Sequence, residues 1–282
     1  MLKKMPGTLC TLIAACLFAL GGLLMKLIPW HGLAINSFRS AIAFWIILLF
    51  LKRTGHRIVV NRSVMTGAAC MVLTNLLYSM ANKLTTAGNT IILQFTAPIF
   101  VIIYSTILFK KKPQKLDLAA CACVFAGVVF FFVDGLSAGN MLGNALALMS
   151  GMFYGGVFMM NSFDDSDSLS SVLFGLVGGF VTGLPWLLRQ DFSQTGAEGW
   201  TAALCLAVFQ LGVAYIFFTA GLETTPPVAA CLITGVEAIL NPVLVAVFYH
   251  ESLTKLSLVG AAIVFISVMA YNLLMTLKKG SA

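Results

Sequence analysis

Two ionisable side chains lie well inside apolar stretches of the chain. Glu237 stands about halfway along the stretch 226–248, and Arg39 roughly two turns inside the stretch 33–51. A charge at the centre of a membrane helix costs roughly 2.5–3.5 kcal/mol on insertion scales, so such a residue usually faces a cavity or a partner. A carboxyl group at that depth can exchange a proton or hold an amine, whereas a guanidinium stays charged and can hold a carboxylate. Glu237 is expected to be the proton-coupling or amine-binding group and Arg39 to organise an anionic part of a substrate. The plainer alternative is that they pair with each other or with backbone.

Further polar and aromatic residues at similar depth are Asn75, Tyr78 and Ser79 in one stretch, Gln94 in the next, Tyr154 later, and Gln210 with Tyr215. Amides and hydroxyls among aromatic faces suit an amino-acid-sized or flat heterocyclic solute better than a bare ion. The expected substrate-binding set is Asn75, Tyr78, Gln94, Tyr154, Gln210, Tyr215 and Arg39, although each alone could also bridge two helices. Pro98 cannot donate to the carbonyl of Gln94, nor Pro242 to that of Ala238. A carbonyl freed at membrane depth must face protein or water, so both prolines are expected as helix breaks beside the cavity.

Other chemistries lack their parts. Cys121 and Cys123 point to different helix faces, and His31, His56 and His250 fall in separate loops without metal-ligand spacing. Asp164, Asp165 and Asp167 form a short acidic loop that reads as solvated. No catalytic set, metal or cofactor is expected, and no phosphate-binding Gly-x-x-x-x-Gly-Lys run is present.

The elements that must position these residues are membrane helices. Of 282 residues, 60% are hydrophobic and 10% charged, against about 45–50% and about 25% in soluble domains. Lipid must therefore be the solvent for most of the surface. All seven cysteines lie inside apolar runs, so no disulfide framework is expected. Ten runs reach the ~20 residues needed to cross a bilayer, at approximately 8–28, 33–51, 64–82, 86–109, 115–133, 141–160, 169–188, 199–220, 226–248 and 256–277. The fold class expected is all-α integral membrane, with no room for an extramembrane domain.

The net charge of +7 reads as an orientation signal rather than as a nucleic-acid footprint. With the N-terminus inside, the inner face holds Lys3, Lys4, Lys52, Arg53, Arg57, Arg62, Lys110, Lys111, Lys112, Lys115, Lys278 and Lys279; the outer loops hold only Lys83, Arg189 and Lys255. Both termini are then cytoplasmic. Trp30, Trp186 and Trp200 fall where an outer aromatic belt would lie. Lys26 lies near that boundary, where its side chain can snorkel.

Sliding the chain by 140 positions lays residues 78–134 on 218–274 without a gap: Thr85 meets Thr225, Lys115-Leu116 meets Lys255-Leu256, and Val124-Phe125 meets Val264-Phe265. An offset of 136 lays Gly7 on Gly143 and Phe18 on Tyr154. Two five-helix repeats follow, 1–136 and 137–282, and an odd number of crossings inverts the second relative to the first. Secondary transporters are commonly built this way, with the solute site near the midplane between the repeats.

The chain resembles the ten-helix EamA type of the drug/metabolite transporter superfamily over nearly its whole length. The residues that carry the likeness are Asn36-Ser37-Phe38-Arg39, Leu93-Gln94-Phe95-Thr96-Ala97-Pro98, Val236-Glu237-Ala238 and His250-Glu251-Ser252-Leu253-Thr254. Lys111 stands where the family's first repeat usually has an acid, and Ala238 where the second usually has proline. The resemblance implies a proton-linked or facilitated carrier of small organic metabolites, most often an inner-membrane exporter. The expected partners are a small-molecule solute and the lipid bilayer, with a homodimer left open and no nucleic acid. The rival readings are a multidrug or nucleobase-type efflux carrier or facilitator, and a membrane receptor or scaffold that moves no solute.

Overall fold

The computed structural model describes residues 5–85, 87–110, 112–132, 140–249 and 254–280. The first pass is α1 (Gly7–Phe18) and α2 (Leu20–Lys26), the second α3 (Gly32–Thr54), the third α4 (Arg62–Leu84). The fourth is divided into α5 (Ala87–Gln94) and α6 (Ala97–Phe109), and α7 (Lys115–Phe132) completes the first half. The second half runs through α8 (Met141–Phe158), α9 (Ser168–Leu188), an eighth pass made of α10 (Ala197–Cys205), a π-helical segment Leu206–Val213 and α11 (Ala214–Leu222), then α12 (Pro227–Tyr249) and α13 (Lys255–Gly280). Six of the described helical stretches are long and apolar enough to cross a membrane, namely Gly7–Met25, Gly32–Thr54, Arg62–Asn82, Met141–Phe158, Ser168–Leu188 and Ala197–Leu222.

Helix ends are set by local chemistry. Asn61, Asn140 and Asp167 cap α4, α8 and α9, their side-chain oxygens accepting from Val64 N at 2.8 Å, Leu142 N at 2.9 Å and Ser170 N at 2.6 Å. Gly55 stops α3 at φ 64°, a left-handed conformation that only glycine enters freely, with Lys52 and Arg53 in the preceding turn. Within the passes hydroxyls return to their own helix: Thr11 donates to Gly7 O, Thr74 to Cys70 O and Thr219 to Tyr215 O, at 2.7–2.9 Å. No polar hydrogen of these threonines is then left facing lipid.

The packing has a two-fold pattern. α4 lies against α8 as α11 lies against α1; α4 meets α9 as the π segment meets α3; α5 and α6 flank α8 as α12 flanks α1. Two further pairs, α3 with α9 and α7 with α13, are each their own counterpart when the halves are exchanged. These interfaces between halves therefore map onto one another, as an isologous contact requires. Because each half crosses the membrane an odd number of times, the relating axis lies in the membrane plane and the repeats are inverted. Outward faces remain apolar: Val264, Val268 and Tyr271 of α13 are buried against Val124 and Val128 of α7, while Phe265, Ile266 and Met269 are exposed.

Close approach between halves rests on glycine. A Cβ at Gly183 of α9 would stand 2.4 Å from the Leu33 carbonyl oxygen, whereas one at Gly175 would meet the sulfur of Met71, the mobile end of a side chain, at 2.6 Å. Overpacking costs about 1–3 kcal/mol when the neighbour cannot yield. Gly183→Ala is therefore expected to lower the thermal midpoint in detergent by several degrees and Gly175→Ala by less, read by fluorescence-detected unfolding of the two purified variants side by side.

Three sequence expectations meet a different outcome. Trp30 is 2% exposed and packs edge-on to Phe38, Phe192 and Trp200 at 4.9–5.2 Å, its indole N–H donating to Thr195 Oγ1 at 2.7 Å. It is a core residue of that end of the bundle, while Trp186 and Trp200 keep partial exposure. The acidic loop is not merely solvated: Asp165 accepts from Ser63 Oγ at 2.6 Å and Asp167 caps α9 and contacts His56 Nε2 at 2.8 Å. Finally, α12 stays helical through Pro242, so the lost N–H there removes one bond without ending the helix. Lys111, Asp134 and His250-Glu251-Ser252-Leu253 lie outside the described residues, as do the side chains of Lys26, Lys83 and Pro242.

Candidate functional site

The fourth pass is opened by its own sequence. Phe95 and Thr96 separate α5 from α6, and Pro98 occupies the first turn of α6, where its missing N–H costs nothing. The Thr96 hydroxyl donates to Leu93 O at 2.7 Å, satisfying one carbonyl the break releases. Gly151 and Gly155 of α8 receive the broken chain: a Cβ at Gly151 would lie 2.8 Å from Gln94 O, and one at Gly155 would lie 2.9 Å from the Phe100 Cβ. The small-residue pair thus permits irregular backbone at membrane depth to pack on protein.

That break turns Gln94 toward the centre of the molecule. A cavity of ≈ 50 Å³ is lined there by Phe18, Arg39, Thr74, Asn75, Tyr78, Gln94, Tyr154, Gln210, Leu211, Tyr215 and Glu237. All seven residues expected to contact substrate, and the expected proton carrier, face this one space. A pocket of ≈ 10 Å³ adjoins it at Tyr78, Gln94, Tyr154 and Glu237, about the size one water needs.

Arg39 is 2% exposed and is held by amides. Its Nη2 donates to Asn75 Oδ1 at 2.8 Å and Asn36 Oδ1 at 3.1 Å, and its Nη1 to Gln210 Oε1 at 3.2 Å. Its Nε has no hydrogen-bond partner among the described residues. Asn75 in turn donates to Met71 O at 3.0 Å and to Tyr215 Oη at 3.5 Å, and Gln94 donates to Ser150 Oγ at 3.0 Å. Among the described residues neither Arg39 nor Glu237 takes part in an ion pair. The direct salt bridge that the sequence left open is absent from this arrangement, and a guanidinium and a carboxyl group line the cavity without bonding to each other. Ser79 does not line it, its buried hydroxyl having no partner among the described residues.

Sequence reasoning missed Phe18, Thr74 and Leu211 in the lining. Phe18 could have been found, since it superposes on Tyr154 in the repeat; Thr74 and Leu211 carry no such signal. The π-helical turn holding Gln210 was also missed. Wider turns of this kind displace a side chain and free carbonyls, and they concentrate at functional positions.

Toward the face that carries the Lys110–Lys115 loop, an aromatic layer bounds the cavity. Tyr154 packs on Phe158 at 4.7 Å, Phe158 on Phe218 at 5.4 Å, and Phe218 on Phe18 at 5.8 Å, with Phe158 and Phe218 fully buried. Beyond this layer lies a vestibule of ≈ 500 Å³, into which Phe158 also faces.

The model of the EamA-like transporter family matches residues 5–133 and again 141–273. The chain belongs to that family. This EamA-like chain is also 26% identical over 276 residues to the uncharacterized transporter YwfM of Bacillus subtilis strain 168, covering 94% of one sequence and 93% of the other. A crystal structure of a protein only 14% identical superposes with a TM-score of 0.82, over 95% of this chain and 97% of that one. At such identity the superposition speaks for the fold alone. The EamA-like chain is thus a multi-pass membrane transporter, and its two family matches correspond to the two interlocked sets of helices.

Proposed function

We propose that this transporter exports small amino acids or related amines across the cell membrane by alternating access, with both termini in the cytoplasm and proton exchange at Glu237. The observation that carries the reading is that a guanidinium, Arg39, and a carboxyl group, Glu237, line one cavity without bonding to each other. A zwitterion supplies both missing partners: its carboxylate meets the guanidinium and its ammonium the carboxylate, each a charge-assisted hydrogen bond. Asn75, Tyr78, Gln94, Tyr154, Gln210 and Tyr215 then frame the side chain of the solute, and water in the pocket beside Glu237 offers a proton path.

At ≈ 50 Å³ the cavity is well below the ~300 Å³ of ordinary ligand sites. The cavity as it stands is too small for such a solute, and binding requires the repeats, taken as 1–136 and 137–282, to rock apart. The Phe158–Phe218 layer is the barrier on the basic face. A proton leaving Glu237 as the ammonium arrives links solute movement to the pH gradient without any bound cofactor.

Proteoliposomes loaded with an unlabelled amino acid test this directly. Counterflow of the labelled compound is expected, accelerated by an imposed pH step, with amino acids preferred over nucleobases and inorganic ions. Equal uptake of all three classes, or none by protein that retains its unfolding transition, would overturn the reading.

A further inference from the structure

Four cations cluster where the second pass ends and the third begins. Lys52 and Arg53 lie in the last turn of α3, Arg57 in the connecting loop and Arg62 at the first position of α4, all exposed. Among the described residues none of them takes part in an ion pair. The loop between α8 and α9 faces this one and carries acids, but two of those are engaged elsewhere: Asp165 accepts from Ser63 Oγ at 2.6 Å, and Asp167 caps α9 and contacts His56 Nε2 at 2.8 Å. Asp164 is exposed and is in no ion pair either. The cluster sits at headgroup depth. At 1.5 Å per residue the 23 residues of α3 span about 34 Å, against about 30 Å of hydrocarbon, so its last turn emerges among the headgroups before the chain turns back into α4.

The loop that carries the cluster has a fixed backbone. The His56 N–H donates to Leu51 O at 3.1 Å, the Val59 N–H to Ser170 Oγ at 3.0 Å, and Asn61 Nδ2 to Asp165 O. The last two bonds, like the contacts of Ser63 with Asp165 and His56 with Asp167, cross from the first half to the second. An independent observation concerns Ile58 and Val60, which are 46% and 69% exposed on this bonded loop. Apolar side chains turned outward gain nothing from water, whereas at the boundary between headgroups and acyl chains they meet an apolar solvent. Cations flanking such a pair suit an anionic lipid better than a soluble anion.

We infer that the loop 55–61, with Lys52, Arg53 and Arg62 at its ends, is a binding site for an anionic phospholipid, whose phosphate meets the guanidinium groups and whose glycerol and upper acyl region meet Ile58 and Val60. Arginine serves here because its planar fork can donate to two phosphate oxygens at once. Since the loop is bonded to Asp165, Asp167 and Ser170, a bound lipid braces the contact between the halves on the basic face. The site needs only the membrane fold; it uses neither Arg39 nor Glu237 and stands or falls independently of the central-site reading.

The test is native mass spectrometry of the full-length protein in detergent, titrated with dioleoylphosphatidylglycerol or dioleoylphosphatidylcholine, with the thermal midpoint read on the same samples. The anionic lipid is expected to be retained at about ten-fold lower concentration than the zwitterionic one, and to raise the midpoint where the other does not. A cation near an anionic lipid surface contributes roughly a factor of five, so Arg53→Gln combined with Arg57→Gln should weaken retention by about ten-fold or more and remove the midpoint shift. Arg57→Gln alone gives the same direction if the double variant does not fold. Ile58→Ser with Val60→Ser should weaken retention by a smaller factor, whereas Lys112→Gln with Lys115→Gln, on the neighbouring basic loop, leaves it within about two-fold. Glycerol 1-phosphate should not displace the lipid. Equal retention of the two lipids, retention unaltered by the arginine substitutions, an equal loss in the lysine variant, or displacement by glycerol 1-phosphate, which would mark a site for soluble phosphate, would each overturn the inference.

Discussion

Glu237→Gln is expected to abolish the acceleration of counterflow by a pH step and to slow amino-acid transport about 10- to 100-fold. The amide keeps the volume and the hydrogen-bonding capacity of the side chain but can neither carry a negative charge nor release a proton. A hydrogen bond to a charged partner is worth about 1.5–3 kcal/mol, and each 1.4 kcal/mol is a factor of ten, which sets the range. The half-buried side chain on α12 forms no ion pair among the described residues, so the fold loses no bond of that kind in the change. The thermal midpoint should therefore stay level or rise, since the amide cannot ionise at a depth where charge is costly. Transport with wild-type rate and pH profile in this variant would end the assignment of Glu237 as the proton carrier.

Arg39→Leu separates binding from folding in the opposite half. The substitution strips donors from Asn36 Oδ1, Asn75 Oδ1 and Gln210 Oε1, each costing about 1–3 kcal/mol if no water replaces them. It also removes a buried ion whose effective penalty is several kcal/mol. These terms offset, so the variant is expected to remain folded with a midpoint within a few degrees of wild type. Its transport of an amino acid should fall by about 100-fold, while that of the corresponding decarboxylated amine, which never used the guanidinium, falls far less. Arg39→Lys is expected to lie between, because one ammonium cannot span three amide oxygens on α3, α4 and the π segment at once. Equal losses for the two solutes would show that Arg39 only braces the helices.

Much of this site was legible before any coordinates. Glu237 and Arg39 declare themselves because charge is so expensive in an apolar run, and the amides and tyrosines because few other polar groups lie at that depth; all line the cavity. The family motif Leu93–Pro98 marks the place where the fourth pass divides into two α-helices, as the first pass does at Ala19. What stayed hidden obeys tertiary geometry instead. Nothing local distinguishes Pro98, which begins a helix, from Pro242, which rides inside one. Trp30 had the position of a belt residue, but Phe38, Phe192 and Trp200, brought together from remote parts of the chain, enclose it. The vestibule was invisible for the same reason: Asp117 and Glu223 on its wall lie over a hundred positions apart, and no spacing rule unites them.

The wide-turned stretch Leu206–Val213 has no equivalent in the third pass, where α4 is regular throughout. A perfectly symmetric pair of repeats would give outward- and inward-open forms equal free energy. Distorting one partner alone lifts that degeneracy, so on the proposed alternating-access mechanism the unladen carrier rests unequally between its two forms. Solute offered to the rarer form is then held less tightly than its contacts allow, by the fraction of molecules in that form. A preferred direction of handling can thus be written into the backbone of a single helix, with no difference required between the two mouths.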